Sequence, residues 1–235
     1  MSLAKRPLAC FLLVFVCNVV EVDASPIVFD PVGDRLTMAP GPYPDILSIE
    51  TMLNIDVISF VVTFADMILP APPSLPIPPN SINLIIDLDL DQNPSTGFED
   101  AASRLTEFFG YPPVNLGSDL KIQIGSSVVP QSVFGLDPAS NLRLFELPNA
   151  AIYQFNSVSF SLPLALLNDD GRLNYSVFVF GGVAIPSDRA PNGTTPFSTV
   201  PASESTLLLL GIGLAALTGI RGVRPTCVVW LRKRD

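Results

Sequence analysis

From residue 46 onward the chain alternates apolar and polar positions, or runs apolar, in short segments: 46–52, 57–64, 82–90, 120–124, 128–134, 142–147, 152–162 and 173–183. They are strand-sized and rich in Val, Ile and Phe, and several alternate with the period of two that puts successive side chains on opposite faces. Turn and breaker residues separate them: Leu53-Asn54, the proline-rich tract 70–79, Asn93-Pro94, Leu136-Asp137-Pro138, Pro148-Asn149 and Asn168-Asp169-Asp170-Gly171. About eight short strands predict an all-β fold, an antiparallel β-sandwich spanning residues 25–190. A single peripheral helical turn is expected over 100–109, where Ala101, Leu105 and Phe108 or Phe109 fall at helical spacing. The tract 70–79 should form a stiff connection in polyproline II that stays out of the sheet ladder; the competing use of such a tract is as a ligand for an aromatic groove.

Two longer apolar runs break this pattern, one at each end. Lys5 and Arg6 precede an apolar run over 8–20, and Val22-Asp23-Ala24 ends on a small residue, so residues 1–24 read as a helical signal peptide and imply export. Cleavage after Ala24 would remove Cys10 and Cys17 and leave Cys227 without an intrachain partner, so the domain is expected to stand on its core alone. At the other end a polar spacer, 191–206, leads into an uncharged run from Leu207 to Ile220, with Arg221 and Arg224 directly behind it. A hydrophobic helix over 207–224 and a basic cytoplasmic tail over 225–235 follow, with the positive side inside. The run is shorter than the roughly 20 residues that cross a bilayer core, and snorkelling arginines would extend its reach.

Charge sharpens this division. The whole chain of 235 residues carries 22 acidic and 13 basic residues, a net of −9, but from Ser25 to Val200 there are eighteen Asp/Glu against six Lys/Arg. An acidic body with basic ends repels phosphate, which excludes nucleic acid as a partner. The chain has no histidine, which removes Ser-His-Asp and Cys-His nucleophiles and His-containing zinc sites.

The densest chemistry lies in Asp87-Leu88-Asp89-Leu90-Asp91-Gln92-Asn93-Pro94-Ser95-Thr96-Gly97. In an extended strand Asp87, Asp89 and Asp91 share one face while Leu88 and Leu90 face the core. Carboxylates this close repel, and a hard cation with oxygen ligands relieves the repulsion, which makes calcium the candidate. An EF-hand register fails, because Gln92 stands where the turn needs Gly and Phe98 where the loop needs Glu. The competing reading is a solvated strand end whose Asx side chains bond the local backbone.

The stretch Val200-Pro201-Ala202-Ser203-Glu204-Ser205-Thr206, with the leucine run and the arginines behind it, resembles the PEP-CTERM sorting signal of Gram-negative bacteria. The resemblance covers about thirty residues and implies an exosortase-type processing enzyme as partner, an association with exopolysaccharide, and Pro201, Glu204, Arg221 and Arg224 as the sorting residues. Ala202 and Ser203 replace the Glu-Pro of that motif, and a tail extends beyond its usual end. A plain C-terminal membrane anchor is the alternative.

A second resemblance covers most of the mature domain. Phe29-Asp30-Pro31-Val32-Gly33-Asp34, Pro44-Asp45-Ile46, the Asp87 to Gly97 stretch, Asn168-Asp169-Asp170-Gly171 and Ser187-Asp188-Arg189-Ala190-Pro191-Asn192 are similar to exported bacterial domains of the DOMON and family 9 carbohydrate-binding type. It implies a β-sandwich with a structural ion, for which Asp30, Asp34, Asp89 and Asp91 are the candidate ligands, and the Asp- and Asn-rich loop itself adds Asn93. Carbohydrate-binding relatives stack sugars on exposed aromatic residues, usually Trp, whereas the single Trp230 of this chain lies in its tail.

These readings converge on a noncatalytic exported protein, sorted or anchored at the cell envelope or in the exopolysaccharide matrix, with calcium stiffening a loop. The alternatives are a sugar-binding module using Tyr43, Tyr111 or Tyr153, and a hydrolase built on Asp169 and Asp170 or on the Asp87 to Asp91 cluster. Glycosidase chemistry needs two carboxyl groups roughly 5–9.5 Å apart across a cleft, which adjacent acids in a turn do not supply.

Overall fold

The structure is a computed structural model that describes residues 27–35, 42–72, 76–99, 112–125, 129–168, 171–182 and 185–199. Its strands, in chain order, are β1 (Ile27–Phe29), β2 (Ile46–Leu53), β3 (Val57–Phe64), β4 (Leu69–Pro70), β5 (Ser81–Asp89), β6 (Phe98–Glu99), β7 (Gly117–Ser118), β8 (Leu120–Ile124), β9 (Val133–Leu136), β10 (Arg143–Leu147), β11 (Ile152–Gln154), β12 (Ser157–Pro163), β13 (Asn174–Gly181), β14 (Ile185–Ala190) and β15 (Phe197–Ser198). Two sheets form the expected antiparallel β-sandwich. One has the order β1-β2-β3-β12-β11; the other runs β10-β9-β8-β5-β13-β14, with β15 beside β13 and β4 beside β5.

Alternation decides which faces meet. In β3, Ile58, Phe60, Val62 and Phe64 are buried while the residues between them are half-buried, and β12 answers with Val158, Phe160 and Leu162. From the facing sheet come Ile82, Leu84, Ile86 and Leu88 of β5 with Tyr175, Val177 and Val179 of β13. Phe60 joins the layers, stacked on Phe160 at 5.2 Å and edge-on to Tyr175 at 5.7 Å. Each such side chain gains about 1.5–3 kcal/mol from burial.

From Ile86 to Asp89 the central strand β5 is buried on both faces, so Asp87 and Asp89 are as inaccessible as Leu88. The chain returns from its excursion after β5 through buried Val114, Leu116 and Ser118, and the Ser118 hydroxyl donates to Asp87.

Several boundaries differ from the sequence reading. Among the described residues fifteen strands replace about eight, because edge and two-residue strands carry too few side chains to show a period. The segment 152–162 is a hairpin, β11 and β12, turned at Phe155 and Asn156. Of the segment expected at 128–134, the described part from residue 129 starts as a bend and turn and pairs only from Val133. Pro70 does join the ladder, opposite Ile82 in the short parallel pair of β4 and β5. Strand β14 escaped detection because Pro186, Ser187, Asp188 and Arg189 read as a polar loop; an edge strand tolerates them. The one helical turn among the described residues is Leu164–Leu166. The segment expected to be helical at 100–109, the signal peptide 1–24, the apolar run 207–224 and the tail 225–235 lie outside the described residues.

Candidate metal centre

Two groups of carboxylates gather closely enough to share a cation: Asp30 with Asp34 and Asp188, and Asp89 with Asp91 and Asp119. In each group one oxygen per residue lies within 4.8 Å of the others. Calcium takes oxygens at about 2.3–2.6 Å, so oxygens around one ion lie no more than about 5 Å apart.

The first group sits where the open edges of the two sheets meet. After β1 the amide of Asp30 still bonds the Leu47 carbonyl at 3.0 Å, so Asp30 stays on the sheet. The chain then turns at Gly33, whose φ of +90° suits glycine and whose amide donates to Asp45 Oδ2 at 2.9 Å. On the other sheet β14 bulges at Ser187 against β13, and the Ser187 hydroxyl donates to the Pro44 carbonyl. The next residue, Asp188, pairs with Val179 and so points between the sheets. Its two oxygens accept the amides of Ile46 at 2.6 Å and Arg189 at 2.7 Å. Beyond β14 the Asn192 amide donates to Asp30 Oδ1 at 3.0 Å and to Asp34 Oδ2 at 2.5 Å. Arg189, fully buried, fixes that loop by donating to the Asn192 carbonyl at 3.0 Å and to the Pro112 carbonyl at 2.8 Å.

Electrostatics show what this packing demands. Burial is the main force that raises the Asp30 carboxyl to about 8, with the charges of Asp188, Asp34 and Asp45 adding to it and Arg189 opposing. Burial likewise raises Asp188 to about 8 against the pull of the Ile46 and Arg189 amides. Asp34 and Asp45 are also pushed up, again chiefly by burial. Asp30 Oδ2, Asp45 Oδ1 and Asn192 Oδ1 are buried and accept no hydrogen bond. Buried acceptors without donors are costly, and three things relieve them: ordered water, protons on the carboxyls, or a cation among the oxygens. All the donors are oxygens of Asp or Asn, the set that calcium prefers over soft metals.

The second group is satisfied by its own loop. Asp91 accepts the Thr96 hydroxyl at 2.8 Å and, to lesser effect, the Asn93 amide at 2.9 Å, which hold its carboxyl below the ordinary carboxylate range. Asp89 is buried and takes Asn93 N at 3.1 Å and Asn174 Nδ2 at 3.3 Å, while burial raises its carboxyl. Asp119 Oδ2 accepts the Leu90 amide at 2.9 Å, and Asn93 Oδ1 accepts Ser95 N at 3.1 Å. Asp91 lies beyond the end of β5, not on its face, so the expected row of three strand carboxylates stops at Asp89.

The predicted ligands thus divide between two sites. Asp30 and Asp34 meet at the sheet edges; Asp89, Asp91 and Asn93 meet in the loop after β5. Sequence reasoning assigned no ligand role to Asp45, Asp119, Asp188 or Asn192. The available signal was an acid or amide within two residues of a proline in Pro44-Asp45, Pro186-Ser187-Asp188 and Pro191-Asn192; Asp119 carried none.

The other predicted features fare differently. Pro201, Glu204, Arg221 and Arg224, together with Tyr111, Asp169 and Asp170, lie outside the described residues. Tyr43 is buried, and Tyr153 is half-buried with its hydroxyl donating to the Pro130 carbonyl at 3.0 Å, so neither presents a face for stacking a sugar. An open cleft of about 460 Å³ has Thr96, Phe98, Glu99, Asn115 and Thr194 in its wall, and Glu99 is the one carboxylate among its described lining residues. Among the described residues no helix is long and apolar enough to cross a membrane. Comparison with known proteins gives no match, either to a protein-family model or to a curated protein.

Proposed function

We propose that this protein is a noncatalytic exported β-sandwich module, held at the cell envelope by its C-terminal segment, in which one calcium ion closes the open sheet edges at Asp30, Asp34 and Asp188. The observation that carries the ion is Asp30: it is 7% exposed, its Oδ2 accepts no hydrogen bond, and it lies among the carboxylates of Asp34 and Asp188. Asn192 Oδ1 is a further buried oxygen, on the side-chain amide that touches Asp30 and Asp34, and backbone carbonyls or water would complete the six to eight that calcium takes. The ion would join the segment after β1 to the end of β14, which are distant in sequence, and Asp188 already bonds the start of β2 through the Ile46 amide. An extracellular module needs only weak affinity, with Kd about 10⁻⁴–10⁻³ M.

The address rests on sequence: the signal peptide over 1–24, then the apolar run and arginines after the spacer. Pro201, Glu204, Arg221 and Arg224 are the residues an exosortase-type enzyme would read, and the exopolysaccharide matrix is the proposed setting of the released protein.

Calorimetric titration of EGTA-treated protein with calcium tests the ion. At tenfold excess over Kd the stabilisation is about 1.4 kcal/mol, which raises Tm by about 3–6 °C for a domain of this size. No heat and an unchanged Tm would reject it. For the address, deletion from Ser205 onward should move the protein from the membrane to the soluble fraction; continued retention rejects the anchor.

A further inference from the structure

We infer that the end of the sandwich carrying Met52, Ile55 and Leu166 rests against the lipid headgroups of the membrane that anchors the chain. The inference rests on the C-terminal anchor proposed above.

The described chain leaves the domain at Thr199, and its exit is tied to this end. Thr199 N bonds the Leu173 carbonyl at 3.0 Å and its hydroxyl donates to the Gly171 carbonyl at 2.7 Å. Gly171 packs directly on Leu53 and Leu164, so close that a Cβ there would meet Leu53 Cδ1 at 2.5 Å. Leu164 N in turn bonds the Asp56 carbonyl at 2.9 Å, which places the β2–β3 turn and the Leu164–Leu166 helical turn beside the exit.

This end presents apolar side chains that the fold leaves uncovered. Ile55, at the tip of the β2–β3 turn, is 93% exposed; Met52, near the end of β2, is 45% exposed, and Leu166, two residues after the Leu164 that bonds Asp56, is 36% exposed. A hairpin turn ordinarily takes Gly, Asn or Asp, and an isoleucine at its tip gains nothing from the core.

Tether length selects the occupant. Only residues 200–206 separate Thr199 from the apolar run that begins at Leu207. Even fully extended, a tether of that length reaches at most about 29 Å. Whatever membrane receives that run therefore lies within about 29 Å of the exit, and this end is the one nearest to it. The acids at the same end, Asp56 and Asp91, are exposed and disfavour anionic headgroups, so a zwitterionic surface is the matching partner.

The opposite end supplies a control. Phe155, 76% exposed, sits in the β11–β12 turn, and its carbonyl accepts the Ile68 amide beyond the far end of β3. The eight residues of β3 separate it from Ile55 by about 25 Å.

The test uses the mature chain from Ser25 to Asp235 in phosphatidylcholine vesicles, with Trp230→Phe as background and either Ile55→Trp or Phe155→Trp as the single fluorophore. Both positions are exposed, so neither substitution disturbs the core. The vesicles carry brominated acyl chains as quencher. The inference expects the Ile55→Trp emission to fall by about half and the Phe155→Trp emission to stay unchanged, because penetration on the scale of an interfacial side chain reaches the acyl boundary. Vesicle flotation with no quenching at either position overturns the contact and leaves the anchor standing. Equal quenching at both positions overturns the orientation. Failure to float with the vesicles overturns the anchor and the contact with it.

Discussion

The Ile46 amide donates to the Asp188 carboxylate at 2.6 Å, joining the first residue of β2 in one sheet to the edge strand β14 of the other across 142 residues of sequence. The sandwich is closed at this edge by a carboxylate that faces inward. A buried acid is a poor adhesive by itself, so the contact has value only when its charge is answered.

Replacing Asp188 separates its hydrogen bonds from its charge. Asp188→Ala leaves the Ile46 and Arg189 amides without their acceptor, at about 1–3 kcal/mol each, whereas Asp188→Asn keeps one acceptor and removes the charge. Urea denaturation should therefore rank the asparagine variant more stable than the alanine variant by about 1–3 kcal/mol.

Without a cation, stability should fall as the solution becomes more alkaline. Asp30 and Asp188 are raised to about 8 in the folded protein from 3.8 in the unfolded chain, so between those limits the folded state binds protons that the unfolded state has released. The stability contributed by those protons is full below about pH 4 and is lost as pH passes 8. Melting in EGTA at pH 5 and pH 8 should show the higher Tm at pH 5. Saturating calcium should shrink the difference, because the ion replaces the protons.

The two carboxylate groups should respond differently to substitution. Asp30→Asn retains Oδ1 as acceptor for Asn192 and removes one charge from the cluster, so it should raise Tm in EGTA at pH 8 and abolish the rise caused by calcium. Asp91→Asn loosens a loop that already satisfies itself and should leave the calcium-dependent rise intact. Differential scanning calorimetry of both variants with and without calcium distinguishes the sites.

The core should depend heavily on Phe60, which touches Phe160 in its own sheet and Tyr175 in the facing one. Phe60→Ala should destabilise the domain by about 3–5 kcal/mol, read from denaturant midpoints at constant slope. Phe60→Leu should recover most of the loss, since it refills the volume without the ring contacts.

The strands of the interior were legible because their signal is local. Ile58, Phe60, Val62 and Phe64 announce both a strand and its buried face through their spacing, and the observed β3 has the predicted bounds. Strand β14 was not legible, because an edge strand that carries Pro186, Asp188 and Arg189 has no apolar alternation to read. The acidic loop after β5 was visible as a run of Asp and Asn, but hydrogen bonds to Asn93 and Thr96 satisfy it, and composition cannot report how a side chain's lone pairs are used.

By itself the sequence determined the all-β class, the strand-length segments of the interior, the acidic character of the body and the ligand chemistry available to it, because residue type and period two act over a few neighbours. Tertiary structure alone decided which acids meet. Asp30 and Asp34 are joined by Asp188 and Asn192 from the far end of the domain, and Asp188 turns inward because β14 bulges against β13. Such an encounter depends on sheet order and register, which follow from the packing of the whole core and are written in no single stretch of the chain.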